Sequence, residues 1–170
     1  ENPFVNPMTD LVVGLLGTNK VSIAFTPVSG IYGYEVSQWM KSLHRFKVIK
    51  RLKATSSSFT EKKLNSGSVY TYIVTPYRYV VIDEKRTKVY GEGKKITITT
   101  HTKAPKLSIR KAKGQVLFYW NRVPKANGYL IQYSKNNKTF KYLKIISKGG
   151  RTSYTRKHMK KGRTYYFRIL

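Results

Sequence analysis

Apolar residues recur at every second position along most of the chain, and no segment sustains the 3.6-residue apolar stripe of an amphipathic helix. Tyr34 and Val36 lie two apart, as do Tyr129, Ile131 and Tyr133, so each set points to one face of an extended segment. The alternation predicts strands near 10–15, 20–26, 31–40, 44–52, 55–60, 68–79 and 87–100, and again near 106–110, 114–121, 127–134, 139–147, 151–156 and 163–170. Turn signals separate them, among them Leu16-Gly17-Thr18-Asn19, Asn65-Ser66-Gly67, Lys135-Asn136-Asn137-Lys138 and Lys148-Gly149-Gly150. Helix is expected to be scarce.

The strand pattern occurs twice. Adding 95 pairs Val21 with Val116, Phe25 with Trp120, Val28 with Val123, Gly33-Tyr34 with Gly128-Tyr129, Val36 with Ile131, Gly67 with Gly162 and Tyr70 with Tyr165. Between these the register slips to 94 at Phe46-Lys47 against Phe140-Lys141, and it returns at Ser58-Phe59-Thr60 against Ser153-Tyr154-Thr155. A period this long exceeds the 20–50 residues of solenoid repeats and approaches the ~100 residues of a β-sandwich. The chain therefore reads as a tandem of domains.

Three signatures in each copy resemble fibronectin type III domains, particularly those of bacterial extracellular proteins. The second strand ends in an aromatic before a Pro-containing turn, as Phe25-Thr26-Pro27-Val28 and Trp120-Asn121-Arg122-Val123-Pro124. The third opens Gly-Tyr and alternates, as Gly33-Tyr34-Glu35-Val36 and Gly128-Tyr129-Leu130-Ile131. The sixth follows an apolar-x-x-Gly-x-x-Tyr-x-aromatic-x-aliphatic approach, as Leu64, Gly67, Tyr70, Tyr72, Val74 and Met159, Gly162, Tyr165, Phe167, Ile169. The resemblance implies an all-β chain of two tandem immunoglobulin-like sandwiches, with a linker at 1–9 and domains at 10–103 and 104–170. Phe25 and Trp120 should meet Tyr34 and Tyr129 across the two sheets. Tyr70 and Tyr165 stand where a tyrosine corner would tie a hydroxyl to upstream backbone.

In copy one a seventh strand follows the sixth, and adding 95 places its counterpart beyond Leu170. The second sandwich is thus expected to lack its last strand, the protein to continue past Leu170, and the alternative is a strand donated by another chain.

The 40% apolar content suffices for two modest cores, and no run approaches the ~18 apolar residues of a membrane span. The first residues read as an extended linker, so any export signal would lie upstream. With no cysteine in the chain, disulfides and thiolate metal sites are excluded.

Charge divides the copies more sharply than their folds do. Residues 1–103 hold 16 Lys/Arg and all seven acids, a net +9, whereas residues 104–170 hold 18 Lys/Arg and no acid. The second copy is +18 and contains no internal pairing of a cation with a side-chain carboxylate.

Catalysis needs convergent acids, bases, nucleophiles or metal ligands, and few are present. His44, His101 and His158 lack metal-ligand spacing, and Asp83-Glu84 reads as a hairpin tip. No phosphate loop, nucleophile elbow or metal motif occurs, so no cofactor and no enzyme activity are expected. The remaining candidate is a polyanion site in the second copy, drawn from Arg110, Lys111, Lys113, Arg156, Lys157, Lys160, Lys161 and Arg163. The competing reading is that such lysines keep strand edges apart and the surface soluble. Specific nucleic acid is not expected, because the aromatics follow core alternation rather than interleaving with the cations.

These observations describe a non-catalytic spacer or display segment of a larger secreted or wall-attached bacterial protein, whose partners are neighbouring domains of its own polypeptide. A second reading is an adhesion module, its basic copy holding teichoic acid or a glycosaminoglycan. A third, an accessory domain of a polysaccharide-degrading enzyme, rests on the resemblance alone. All three put the protein outside the cell.

Overall fold

The computed structural model describes residues 4–160 and 162–170. It divides into two compact units, Glu1–His101 and Thr102–Leu170. Apart from one short 3-10 turn at Lys41–Leu43, the regular structure of the described residues is β-strand.

The first unit contains β1 (Val12–Leu16), β2 (Lys20–Ala24), β3 (Gly33–Met40), β4 (Arg45–Lys53), β5 (Ser58–Lys62), β6 (Val69–Ile82), β7 (Lys85–Tyr90) and β8 (Lys94–Thr99). One sheet runs β1-β2-β5 and the other β4-β3-β6-β7, with β8 also on β6. Val21 and Ile23 from the first sheet meet Tyr34, Val36, Tyr72, Val74 and Ile98 from the second in one buried cluster. The second unit repeats this with β9 (Leu107–Ala112), β10 (Gln115–Trp120), β11 (Tyr129–Ser134), β12 (Lys141–Ile146), β13 (Ser153–Lys157) and β14 (Tyr166–Ile169). Its sheets run β13-β10-β9 and β12-β11-β14 around Phe118, Trp120, Tyr129, Ile131 and Ile169.

The duplicated aromatic pair meets across the sheets in both units. Ring centroids lie 4.9 Å apart for Phe25 and Tyr34 and 5.4 Å apart for Trp120 and Tyr129. Each tyrosine hydroxyl also accepts a hydrogen bond from the turn after the preceding strand, from the Val28 amide at 2.7 Å and the Val123 amide at 3.0 Å. Tyr70 makes the expected corner, its hydroxyl accepting from the Asn65 amide at 2.8 Å. Among the described residues Tyr165 has no such bond, and its ring instead stacks on Phe167.

The longest strand departs most from expectation. β6 runs to Ile82 and turns back through Asp83 and Glu84, both at positive φ, as a two-residue hairpin loop requires. The expected strand 87–100 is broken at Gly91-Glu92-Gly93, opposite Pro76. Pro76 has no amide hydrogen to give this edge, while its carbonyl accepts from the Gly91 amide at 2.9 Å. Into the break comes the N-terminal stretch that the sequence suggested was linker. Val5 and Met8 are buried, and the Met8 amide bonds the Glu92 carbonyl at 3.0 Å. A Cβ on Gly91 would lie 2.6 Å from the Asn6 carbonyl oxygen, so only glycine admits this packing. Residues 1–3 lie outside the described residues.

β7 is anchored by a nearly buried acid. The Glu35 carboxylate on β3 accepts from Lys88 Nζ at 2.9 Å, Arg51 Nε at 3.0 Å and the Tyr90 hydroxyl at 3.2 Å. Burial pushes its pKa up, but the hydrogen bonds from Lys88 and Arg51 and the Lys88 charge outweigh burial and hold it below the ordinary 4.5.

Two outcomes follow. Tyr34→Phe leaves the Val28 amide without its acceptor and should cost about 1–3 kcal/mol, read by urea denaturation; an unchanged midpoint would show that the bond is dispensable. A carboxyl whose pKa is depressed on folding adds stability above its unfolded pKa and loses it as pH falls through the folded one. The stability gap between the natural chain and Glu35→Gln should therefore be full at neutral pH and shrink as pH falls below 4.5. A gap that is constant with pH would refute the assignment.

Candidate anion-binding cleft

The second unit's cations are sorted by strand pairing. Val116 points into the core, so Lys111 and Arg156, which lie directly opposite it on β9 and β13, share that inward face. Leu117 and Gln115 point the other way, taking their partners Arg110 and Lys157 with them. Lys113 sits in the β9–β10 turn beside Gly114, whose φ is +69°. Lys160 and Arg163 belong to the segment leading into β14, and Lys161 lies outside the described residues.

The eight cations are thus not one patch. Lys111, Arg156, Lys160 and Arg163 gather where the two sheets part, and Arg110 and Lys157 occupy the opposite face of the β13-β10-β9 sheet. Two clefts open at the parting, sharing Met159, Lys160, Arg163, Tyr165 and Phe167. One, of about 560 Å³, has Ile109, Val116 and Phe167 along it and Lys111 at its margin. The other, of about 350 Å³, adds Lys135, Arg156, His158, Tyr133 and Tyr142. Four cations and three tyrosines line this smaller cleft, with no carboxylate among the residues around it.

Lys135, Tyr133 and Tyr142 were not among the expected site residues. Lys135 reads in sequence as a turn residue and Tyr133 as core, and only the parting of the sheets brings them beside Arg156. Tyr142 sits on the edge strand β12 and is 70% exposed. The three histidines are exposed, and no group able to hold a metal ion occurs among the described residues.

The repeat register and the strand pairing show how the second unit does without acids. Glu61 in β5 sits across from Val21 and within 4.0 Å of Lys50; its counterpart is Arg156, across from Val116. Glu35, paired with Arg51, is replaced by Leu130 paired with Ile145. In the first unit the Asp10 carboxylate accepts from the Thr26 amide at 2.7 Å and ties the approach to β1 to the turn after β2. In the second the link is reversed, the Asn121 carboxamide oxygen accepting from the Lys106 amide at 2.6 Å. The bond from the Thr26 amide also lowers the Asp10 pKa. Each of these three acids, Asp10, Glu35 and Glu61, has a neutral or cationic substitute that serves the same fold.

One expectation about the aromatics is corrected. Tyr32, Tyr79 and Tyr90 are not core: they lie on the outer face of the first unit's larger sheet, where Arg86 stacks 4.0 Å from the Tyr79 ring centre and Lys88 4.3 Å from that of Tyr77. Odd positions of β6 face outward, and the added length of β6 and β7 carries them beyond the sandwich. The rings and cations satisfy one another, with Tyr32 edge-on to Tyr79 at 4.9 Å.

No protein-family model matches the chain, and no curated protein matches it in sequence. Solved structures do match in shape. A two-domain fibronectin type III segment of chicken tenascin aligns with a TM-score of 0.54 at 17% identity, covering 96% of this chain and 90% of that one. A computationally redesigned β-sandwich protein aligns at a TM-score of 0.46 and 16% identity, covering 58% of this chain and 92% of its own. The first of these shows the fold to be that of tandem fibronectin type III β-sandwiches.

Proposed function

We propose that this chain is a non-catalytic display segment of a secreted or surface-attached protein, and that its second unit holds an anionic polymer at the mouth between its sheets. The observation that carries the reading is the replacement of the three acids Asp10, Glu35 and Glu61 in the second repeat, most directly Glu61 by Arg156 at the cleft itself. Lysine-rich strands kept for solubility alone would not require that Asp10 and Glu35 lose their acidic counterparts as well. Within the cleft, Arg156 and Arg163 offer planar donor forks to sulfate, phosphate or carboxylate, while Tyr133 and Tyr142 offer ring faces to a sugar. Wall teichoic acid and sulfated glycosaminoglycan both fit that chemistry. The tandem fold supports the display role, since two sandwiches hold such a site away from an anchoring point.

The test is binding to sulfated glycan, teichoic acid and a neutral glycan at about 150 mM salt, where exposed charges are screened beyond ~8 Å. The combined change Arg156→Glu, Lys160→Glu and Arg163→Glu should weaken binding to the preferred anionic polymer at least tenfold with an unchanged circular dichroism spectrum. Arg110→Glu with Lys157→Glu, the same kind of reversal on the other face, should weaken it far less. Equal losses from both sets would leave only a diffuse charge effect and overturn the cleft as a site.

A further inference from the structure

We propose that the end of the β3–β4 hairpin is a docking point for an anionic lipid bilayer, the chain resting on the membrane there rather than crossing it. β3 pairs with β6 only as far as Gln38, whereas its pairing with β4 continues to Met40 opposite Arg45, so the hairpin ends as two strands without the third. Trp39 stands opposite Phe46 on the outer face, the rings 5.2 Å apart, and Val48 lies two residues further along the same side. The 3-10 turn Lys41–Leu43 closes the hairpin and buries none of its own residues; Trp39 is 38% exposed and Leu43 48%. Lys41, Arg45 and Lys47 are exposed around this apolar end, and residues 36–60 hold six Lys/Arg and no acid. Among the described residues the ion pairs of β4 are those of Lys50 and Arg51, further from the turn.

The fold does not require this end to be apolar. In the second unit Ser134 stands in the place of Trp39 and Lys135 in that of Met40, and the turn at 136–138 is polar throughout. There the Asn136 carboxamide oxygen accepts from the Lys138 and Thr139 amides, both at 3.0 Å, and closes the same hairpin. Phe140, the counterpart of Phe46, is covered by the Arg168 guanidinium 4.2 Å from its ring centre, where Phe46 has Trp39. An indole and a leucine left in water beside cations match a lipid headgroup layer. Indole settles at the level of the headgroups, leucine reaches the acyl boundary, and lysine and arginine meet the anionic groups. A protein partner is a poorer match, since a hairpin end offers far less than the ~800 Å² per side of a standard protein interface.

The probe is vesicles of phosphatidylcholine, with and without phosphatidylserine, titrated into the 170-residue chain at about 150 mM salt. The +18 second unit attracts anionic vesicles by charge alone, so the readout is Trp39 itself rather than retention. The other tryptophan, Trp120, is 5% exposed in the second core and already shielded from acrylamide. We expect phosphatidylserine vesicles to shift the emission to the blue and to shield it from acrylamide, with quenching instead by lipids brominated near the headgroup end of the acyl chain. Leu43→Ser should leave the circular dichroism spectrum unchanged and raise the lipid concentration needed for the shift at least tenfold, and Lys41→Glu with Arg45→Glu should do the same. Vesicle binding that leaves Trp39 open to acrylamide would show charge alone at work and overturn the proposal, as would an equal response to vesicles without phosphatidylserine. Shielding of Trp39 without lipid, accompanied by dimers in analytical ultracentrifugation, would assign the hairpin end to a second copy and overturn it as well.

Discussion

A tyrosine hydroxyl buried between two sheets is the constraint on which each unit depends. Tyr34 and Tyr129 each do two things at once: the ring fills the core against an aromatic of the opposing sheet, and the hydroxyl satisfies an amide in the turn that brings the chain from one sheet to the other. The geometry of that turn is therefore set from inside the core. The strand that follows inherits its register, and with it the side to which every later residue points. In the second unit the Tyr129 hydroxyl also donates to the Gly149 carbonyl at 3.1 Å, which fixes the approach to β13 and so the placement of Arg156.

From that constraint the electrostatic difference between the units becomes possible. A core held by rings and hydroxyls needs no ion pairs to define it, so acids are free to come and go on the faces and edges. The first unit uses this freedom to build a Glu35 network that binds three strands together. The second abandons it for Leu130 and Ile145 and keeps the same sheet order.

The architecture was legible in the sequence because strands, turns and core faces are set by local alternation, and because the repeat lets each copy check the other. Spacing set Tyr34 and Tyr129 on inward faces, and the resemblance set Phe25 and Trp120 across from them. The hairpin at Asp83-Glu84 was readable too, but not how far β6 runs, since Val80, Val81 and Ile82 fit either an extended strand or a loop. The break at Gly91-Glu92-Gly93 and the burial of Val5 and Met8 depend on each other across more than 80 residues, and no local pattern reports such a dependence. The cations of the second unit were recognisable as a set but not as a site. Their division into a cleft group and an outer group follows from which of them lie opposite Val116, and that is a property of pairing rather than of runs.

The reversed link at the start of each sandwich bears on how such a tandem can evolve. Recombination between tandem repeats makes hybrid sandwiches, and most crossover points leave both partners of this link from one parent. An exchange between β1 and the turn after β2 is different. It would place the acceptors Asp10 and Asn121 together in one product and leave the other, with Lys106 facing Thr26, holding two amides and neither the carboxylate nor the carboxamide that accepts from them. Such recombinants begin at a disadvantage, which helps to keep the copies distinct and the acid-free one from being homogenised away.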